Sequence, residues 1–259
     1  MAIYLFIVAL IAPEPITAST DFNGAWVIDL TSMEEPSAPQ TLSLDRGYFS
    51  RGDDKPDFTV KADGKFQALE AGNYVDAVAI IQLSSREVRE LDRYKGKIVY
   101  TVVYKASRTG DTLTRDVTDF SRPEGKPSRT TITYRRIGKA PRKGSLISGR
   151  WQTLAVKTPD ENLTQRIEVI GSHIRSFGAG GYGYDAIAGG VPVPIKGDAE
   201  TALVAVVVPN PQTIVEFASL QGVATIETTM VLSLDGRTVK VTNKRLKDGT
   251  VSRWTMHKK

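Results

Sequence analysis

The feature that most constrains this chain is that it carries one pattern twice. Gly24-Ala25-Trp26 recurs as Gly149-Arg150-Trp151, a shift of 125 positions. The run from Arg89 to Thr114 aligns with the run from Val215 to Lys240 at a shift of 126. In that frame Glu90 meets Glu216, Gly96 meets Gly222, Ser107 meets Ser233, Gly110 meets Gly236 and Thr112 meets Thr238. Toward the ends, Gly125 meets Gly249 and Ser128-Arg129 meets Ser252-Arg253, at a shift of 124. A frame that drifts so little reflects a duplicated structural unit rather than shared composition. The repeat divides the chain into units at 22–137 and 149–259. The stretch between them, 138–148 (GKAPRKGSLIS), has the Gly, Pro and basic content of a linker.

Within each unit the period is two. Ile98, Tyr100, Val102, Tyr104 and Ala106 share one face, as do Ala224, Ile226, Thr228, Met230 and Leu232 in the second copy. Such alternation marks half-buried antiparallel strands. Thr109-Gly110-Asp111, Leu234-Asp235-Gly236-Arg237 and Lys247-Asp248-Gly249-Thr250 supply tight turns between strands. The same role falls to Pro123-Glu124-Gly125-Lys126. Ser84–Tyr94 has a possible helix cap, but its counterpart around Thr213–Phe217 is strand-like, so both are read as strands. No segment keeps helical spacing over three turns. The fold class expected is all-β, with two tandem antiparallel units closed as barrels or sandwiches.

The chain has 259 residues, 34 basic and 29 acidic, a formal charge of +5, two histidines and no cysteine. Disulfides, thiolate metal sites and a cysteine nucleophile are excluded. No His-rich metal site can be built, and no basic stripe with interleaved aromatics suggests nucleic acid. No cofactor is expected. At the N-terminus, Ile3–Ile11 is an uncharged apolar run, followed by Pro13, Pro15 and Ala18. It is half the length of a spanning helix and reads as a signal peptide, residues 1–18, although no Lys or Arg precedes it. The mature protein is then expected to be periplasmic or secreted, with no stable membrane insertion. Its oligomeric state is not fixed by the sequence.

Several segments carry a family resemblance. FNGAWVIDL (22–30), TVKADGKFQ (59–67), PIKGD (194–198), TIVEF (213–217) and SLDGRTVKV (233–241), in this order, resemble secreted bacterial proteins with two tandem lipocalin-like domains. The resemblance spans nearly the whole mature chain. It implies export and two lipocalin-like β-barrels, at 22–137 and 149–259. It supplies no catalytic residues. The cysteine pair that can precede the KADG stretch in such proteins is missing here, where the segment reads Tyr48 to Asp54.

Candidate site residues cluster in the second unit. Gly178, Gly180 and Gly183 form a G-x-G-x-x-G pattern, but Gly189, Gly190 and Pro192 follow too soon for the helix that a dinucleotide needs. The segment reads instead as a loop at a barrel mouth presenting Phe177, Tyr182 and Tyr184 to a small organic ligand. His173 is a possible base or polar contact, with Asp185 nearby. Arg253, with Arg129 as its repeat mate, is either an anchor for an anionic ligand or a residue that closes the barrel. Trp26 and Trp151 are expected to plug the barrel floors. Asp53-Asp54 and Glu34-Glu35 are adjacent, so along a strand they point apart and do not pair. No G-x-S-x-G, H-E-x-x-H or P-loop is present.

These readings lead to a binding protein for a small hydrophobic or aromatic molecule. The alternatives are a cofactor-free isomerase, lyase or hydrolase acting in a barrel mouth, and a structural module of the envelope. The barrel interior discriminates among them. An open apolar cup favours binding, converging ionisable groups favour catalysis, and a filled barrel favours structure.

Overall fold

A computed structural model describes residues 16–34, 39–52, 58–69, 75–122, 126–197 and 202–259. Most of the proposed signal segment, the Asp53-Asp54 pair, Glu35 and the 123–125 turn lie outside these residues. The protein is all-β, with two ten-stranded antiparallel sheets, each curled into a nearly closed barrel.

The strands are β1 (Gly24–Glu34), β2 (Gln40–Asp45), β3 (Tyr48–Arg51), β4 (Phe58–Lys61), β5 (Gln67–Ala68), β6 (Ala77–Gln82), β7 (Glu87–Tyr94), β8 (Lys97–Ala106), β9 (Thr112–Asp119) and β10 (Ser128–Ile137). After them come β11 (Gly149–Lys157), β12 (Thr164–Ile170), β13 (His173–Phe177), β14 (Gly183–Ile187), β15 (Val193–Pro194), β16 (Leu203–Asn210), β17 (Thr213–Leu220), β18 (Val223–Leu232), β19 (Thr238–Arg245) and β20 (Val251–Lys258). Ser84–Tyr94 therefore contains a strand, as its repeat mate implied. The turns between β2 and β3, β7 and β8, and β17 and β18 place Arg46-Gly47, Lys95-Gly96 and Gln221-Gly222 at positive φ. These are the conformations that fit the right-handed twist of a two-residue hairpin.

The two sheets are not the two halves of the sequence. The first sheet runs β4-β3-β2-β11-β10-β9-β8-β7-β6-β5, and the second β14-β13-β12-β1-β20-β19-β18-β17-β16-β15. The first strand of each repeat has changed places. β1 is inserted between β12 and β20, pairing Trp26 with Gln165 and with Lys258. β11 is inserted between β2 and β10, pairing Trp151 with Gln40 and with Arg136. The sequence division at 138–148 thus marks the end of a repeat, not the boundary of a barrel. Ile147, inside that stretch, is fully buried in the first core, and its carbonyl accepts Trp151 Nε1 at 2.9 Å.

The repeat itself is confirmed residue by residue. Trp26 Nε1 donates to the Phe22 carbonyl at 2.7 Å, as Trp151 does to Ile147. Asn23 Oδ1 accepts the Val169 amide at 2.5 Å, and Ser148 Oγ accepts the Leu44 amide at 2.8 Å. Both tryptophans are completely buried. Each is covered by a cation near the end of its barrel: Arg136 lies 4.0 Å from the Trp151 ring centre and Lys258 5.2 Å from that of Trp26. These cations, rather than Arg129 and Arg253, close the floors. Arg129 and Arg253 sit at outward positions of β10 and β20 and are exposed. The bridges Asp63–Ile81 and Gly183–Lys196 tie together the edges of each curled sheet.

Candidate functional site

The Trp151 floor lies at the Ala106 end of β8, so the mouth of the first barrel lies at its Lys97 end. Here Tyr94, Lys95, Lys97, Ile98, Tyr100, Phe120, Ser121 and Arg122 meet Tyr182 and Gly197 of the second barrel around a cavity of about 630 Å³. Alternation along β8 turns Tyr100 inward, and the β8–β9 register sets Asp119 beside it. Ile98 and Phe120 remain 45% and 44% exposed, which leaves apolar surface facing the opening.

One wall is a chain of hydroxyls. Ser121 Oγ donates to Asp119 Oδ1 at 2.6 Å, which commits its single proton. The Tyr182 hydroxyl lies 2.9 Å and the Tyr100 hydroxyl 3.3 Å from the same Ser121 oxygen, so both phenols can donate to it, and Tyr182 also reaches the Ser121 carbonyl at 3.3 Å. Burial, the largest influence, raises the Tyr100 pKa against the lowering effect of the Ser121 hydrogen bond, with smaller upward contributions from Asp119, Tyr182 and Asp92, so this phenol stays neutral. Arg122 leaves the first barrel and lays its carbon stem on Gly180, where a Cβ would come within 2.9 Å of it. Its Nη2 donates to Asn162 Oδ1 at 2.6 Å. Gly180 therefore serves inter-barrel contact, and the glycine-rich loop is a docked rim of this cavity rather than a free flap.

Behind the mouth, the first barrel holds a charged core. Arg51 Nη1 lies 3.2 Å from Glu90 Oε1 and 3.3 Å from the Tyr104 hydroxyl, which donates to Glu90 Oε2 at 2.9 Å. Burial, the largest single influence, opposes the charge on Arg51, but Glu90 and Tyr104 together outweigh it and hold the guanidinium pKa above its ordinary value. Asp92 shares the inward face of β7 with Glu90. Burial, then the Glu90 charge and hydrogen bond, push it up to about 8, so it holds a proton at neutral pH. The second barrel repeats the motif with different partners: Tyr184 donates to the enclosed Glu216, the repeat mate of Glu90. Burial pushes Glu216 up to about 7, against the lowering effect of Tyr184. Gln165 Nε2 donates to Ser176 Oγ at 2.7 Å, and Asn243 Nδ2 to Thr228 Oγ1 at 2.9 Å.

The residues singled out by sequence do not converge. Tyr182 lines the inter-barrel cavity. Tyr184 is buried inside the second barrel, because β14 alternation turns it inward while Asp185 faces out. His173 is exposed on β13, 3.5 Å from Asp185, in an outer-surface group with Arg175 and Glu168. Arg253 lies on the outer face of β20, 4.0 Å from Glu34. Phe177 borders a separate polar cleft with Arg166, Lys196 and Lys259. Sequence reasoning missed Tyr100, Phe120, Ser121 and Arg122. Tyr100 stood in the inward alternation of β8, but the approach of a loop some 60 positions away left no trace in either segment.

The architecture defines an all-β protein of two strand-exchanged, nearly closed barrels with a donor-rich aromatic cavity between them. Compared with family models, with curated proteins and with solved structures, the chain matches none.

Proposed function

We propose that this protein binds a small aromatic molecule in the cavity between its barrels. The observation that carries this reading is the convergence of Tyr94, Tyr100, Phe120 and Tyr182, from both barrels, on one opening of about 630 Å³. That volume falls in the range of small-molecule sites, which combine apolar walls with a few fixed polar groups. The resemblance to tandem lipocalin-like proteins agrees with this reading, and with it goes export to the periplasm or the medium. Among the described residues no helix is long and apolar enough to cross a membrane. The enzymatic alternative draws on the buried acids, yet Glu90 and Glu216 are each bonded to residues of their own barrel. Binding is the better supported reading.

The test is uptake of the neutral fluorophore N-phenyl-1-naphthylamine by the full chain, together with native mass spectrometry for a co-purified ligand. Tyr182→Ala should weaken the fluorophore roughly tenfold, as expected for loss of a buried aromatic contact. His173→Ala, on the outer surface, should leave it unchanged. Absence of uptake, or equal uptake by both variants, would remove the cavity from consideration.

A further inference from the structure

Among the described residues, the cavity wall offers hydroxyl donors and positive charge. Lys95, Lys97 and Arg122 all line it, and no carboxylate is among the described lining residues. Lys95 and Lys97 form no ion pair among the described residues. The Lys95 ammonium lies 4.9 Å from the centre of the Tyr94 ring, which holds it at the rim. Arg122 is fixed by Asn162 and by the stem contact with Gly180, and its Nε stands 3.8 Å from Asp119. Asp119, beside Tyr100 and a quarter exposed, is not among the lining residues, and its Oδ1 is taken by the Ser121 hydroxyl and amide.

The hydroxyl chain points the same way. Asp119 accepts the Ser121 proton, so Ser121 Oγ must accept from Tyr100 and Tyr182. Each phenol has one proton: that of Tyr100 is directed toward Ser121 Oγ, and that of Tyr182 is shared between the same Oγ and the Ser121 carbonyl, 3.3 Å away. A stronger acceptor entering the cavity would draw one of these protons to itself and leave the other bond in place. The site is pre-set to receive an anion, with the fixed donors and cations that such a group needs on losing water.

We infer that the ligand is a planar aromatic anion, whose carboxylate or sulfonate is held by Lys95, Lys97, Arg122 and the Tyr100–Tyr182 hydroxyls while its ring lies against Phe120 and Ile98. This rests on the binding reading given above. The experiment separates the two by comparing probes with one ring frame: anionic 1-anilinonaphthalene-8-sulfonate and neutral N-phenyl-1-naphthylamine, titrated into the folded full chain.

The sulfonate should bind roughly tenfold more tightly and lose affinity as salt rises, while the neutral probe is insensitive to salt. Lys97→Gln together with Lys95→Asn should abolish the preference, weakening the sulfonate about tenfold more than the neutral probe. Asn is chosen because position 95 has φ +48°. Circular dichroism of the variant checks its fold. Equal affinity for the two probes, or a preference that survives the double substitution, would overturn the anion assignment and leave aromatic binding standing. Failure of both probes to bind would overturn the binding reading and this inference with it.

Discussion

The guanidinium of Arg136 lies over Trp151, 4.0 Å from its ring centre, and donates to the carbonyls of Gly110, Leu146 and Ser148. This contact explains why the repeat begins with Gly-x-Trp. A Cβ on Gly149 would fall 2.0 Å from Arg136 Nη1, whereas on Gly24 it would meet the flexible end of Lys258 at 3.2 Å. Gly149→Ala should therefore destabilise the first barrel by about 2–3 kcal/mol, through displacement of Arg136 and its three bonds. Both glycines hold a positive φ that disfavours a side chain, so Gly24→Ala should also destabilise, but less, because Arg136 is not displaced. Chemical denaturation of the two variants checks the difference; equal losses would mean that Arg136 is not fixed as described. Trp151→Ala should cost about 3–5 kcal/mol.

The strand exchange makes an unusual truncation prediction. A chain that starts at residue 36 loses β1, which neighbours the first barrel in sequence but belongs to the second sheet. Amide hydrogen exchange should then show lost protection in β12 and β16 to β20, with β6 to β10 still protected. Loss confined to the first barrel would contradict the observed pairing.

The Arg51–Glu90 pair is enclosed, so its members should be far more costly to remove singly than together. Arg51→Met alone leaves Glu90 buried with Tyr104 and Asp92 as partners but without its guanidinium, an expected loss of about 3–5 kcal/mol. Arg51→Met with Glu90→Leu should recover most of it. Additive losses in a double-mutant cycle would show that the two residues do not act as a pair.

Stability should fall as pH rises through neutrality. Glu216 is pushed up to about 7 from an ordinary 4.5, so between these values the folded chain holds a proton that the unfolded chain has released. The contribution is complete below about pH 4.5 and lost through pH 7, at most about 3 kcal/mol. Asp92, raised to about 8, acts with the same sign over a wider window. At the acid end the sign reverses. Asp248, lowered to about 2 chiefly by its hydrogen bonds from Thr250, loses its contribution as pH falls toward that value. Urea midpoints across pH 3–9 should peak in mildly acidic solution, and Glu216→Gln should flatten the slope between 5 and 7. An unchanged slope would remove Glu216 as its source.

Much of this protein was legible in the sequence because it is local or periodic. Alternation along Ile98–Ala106 and Ala224–Leu232 set strands and inward faces, since side chains of a strand alternate by geometry alone. Gly-containing turns set the hairpins, and the repeat set two equivalent units with buried Trp26 and Trp151. Sheet membership was decided only by tertiary structure. β1 and β11 carry the same Gly-x-Trp signal and suit either barrel, so nothing local distinguishes exchange from its absence. The site was hidden for a related reason. Ser121 and Tyr182 meet only when the barrels dock, and Gly180 looks like loop flexibility until Arg122 is laid across it. A one-dimensional pattern records which way a side chain faces from its own strand, while the partner it meets is set by how two closed sheets pack.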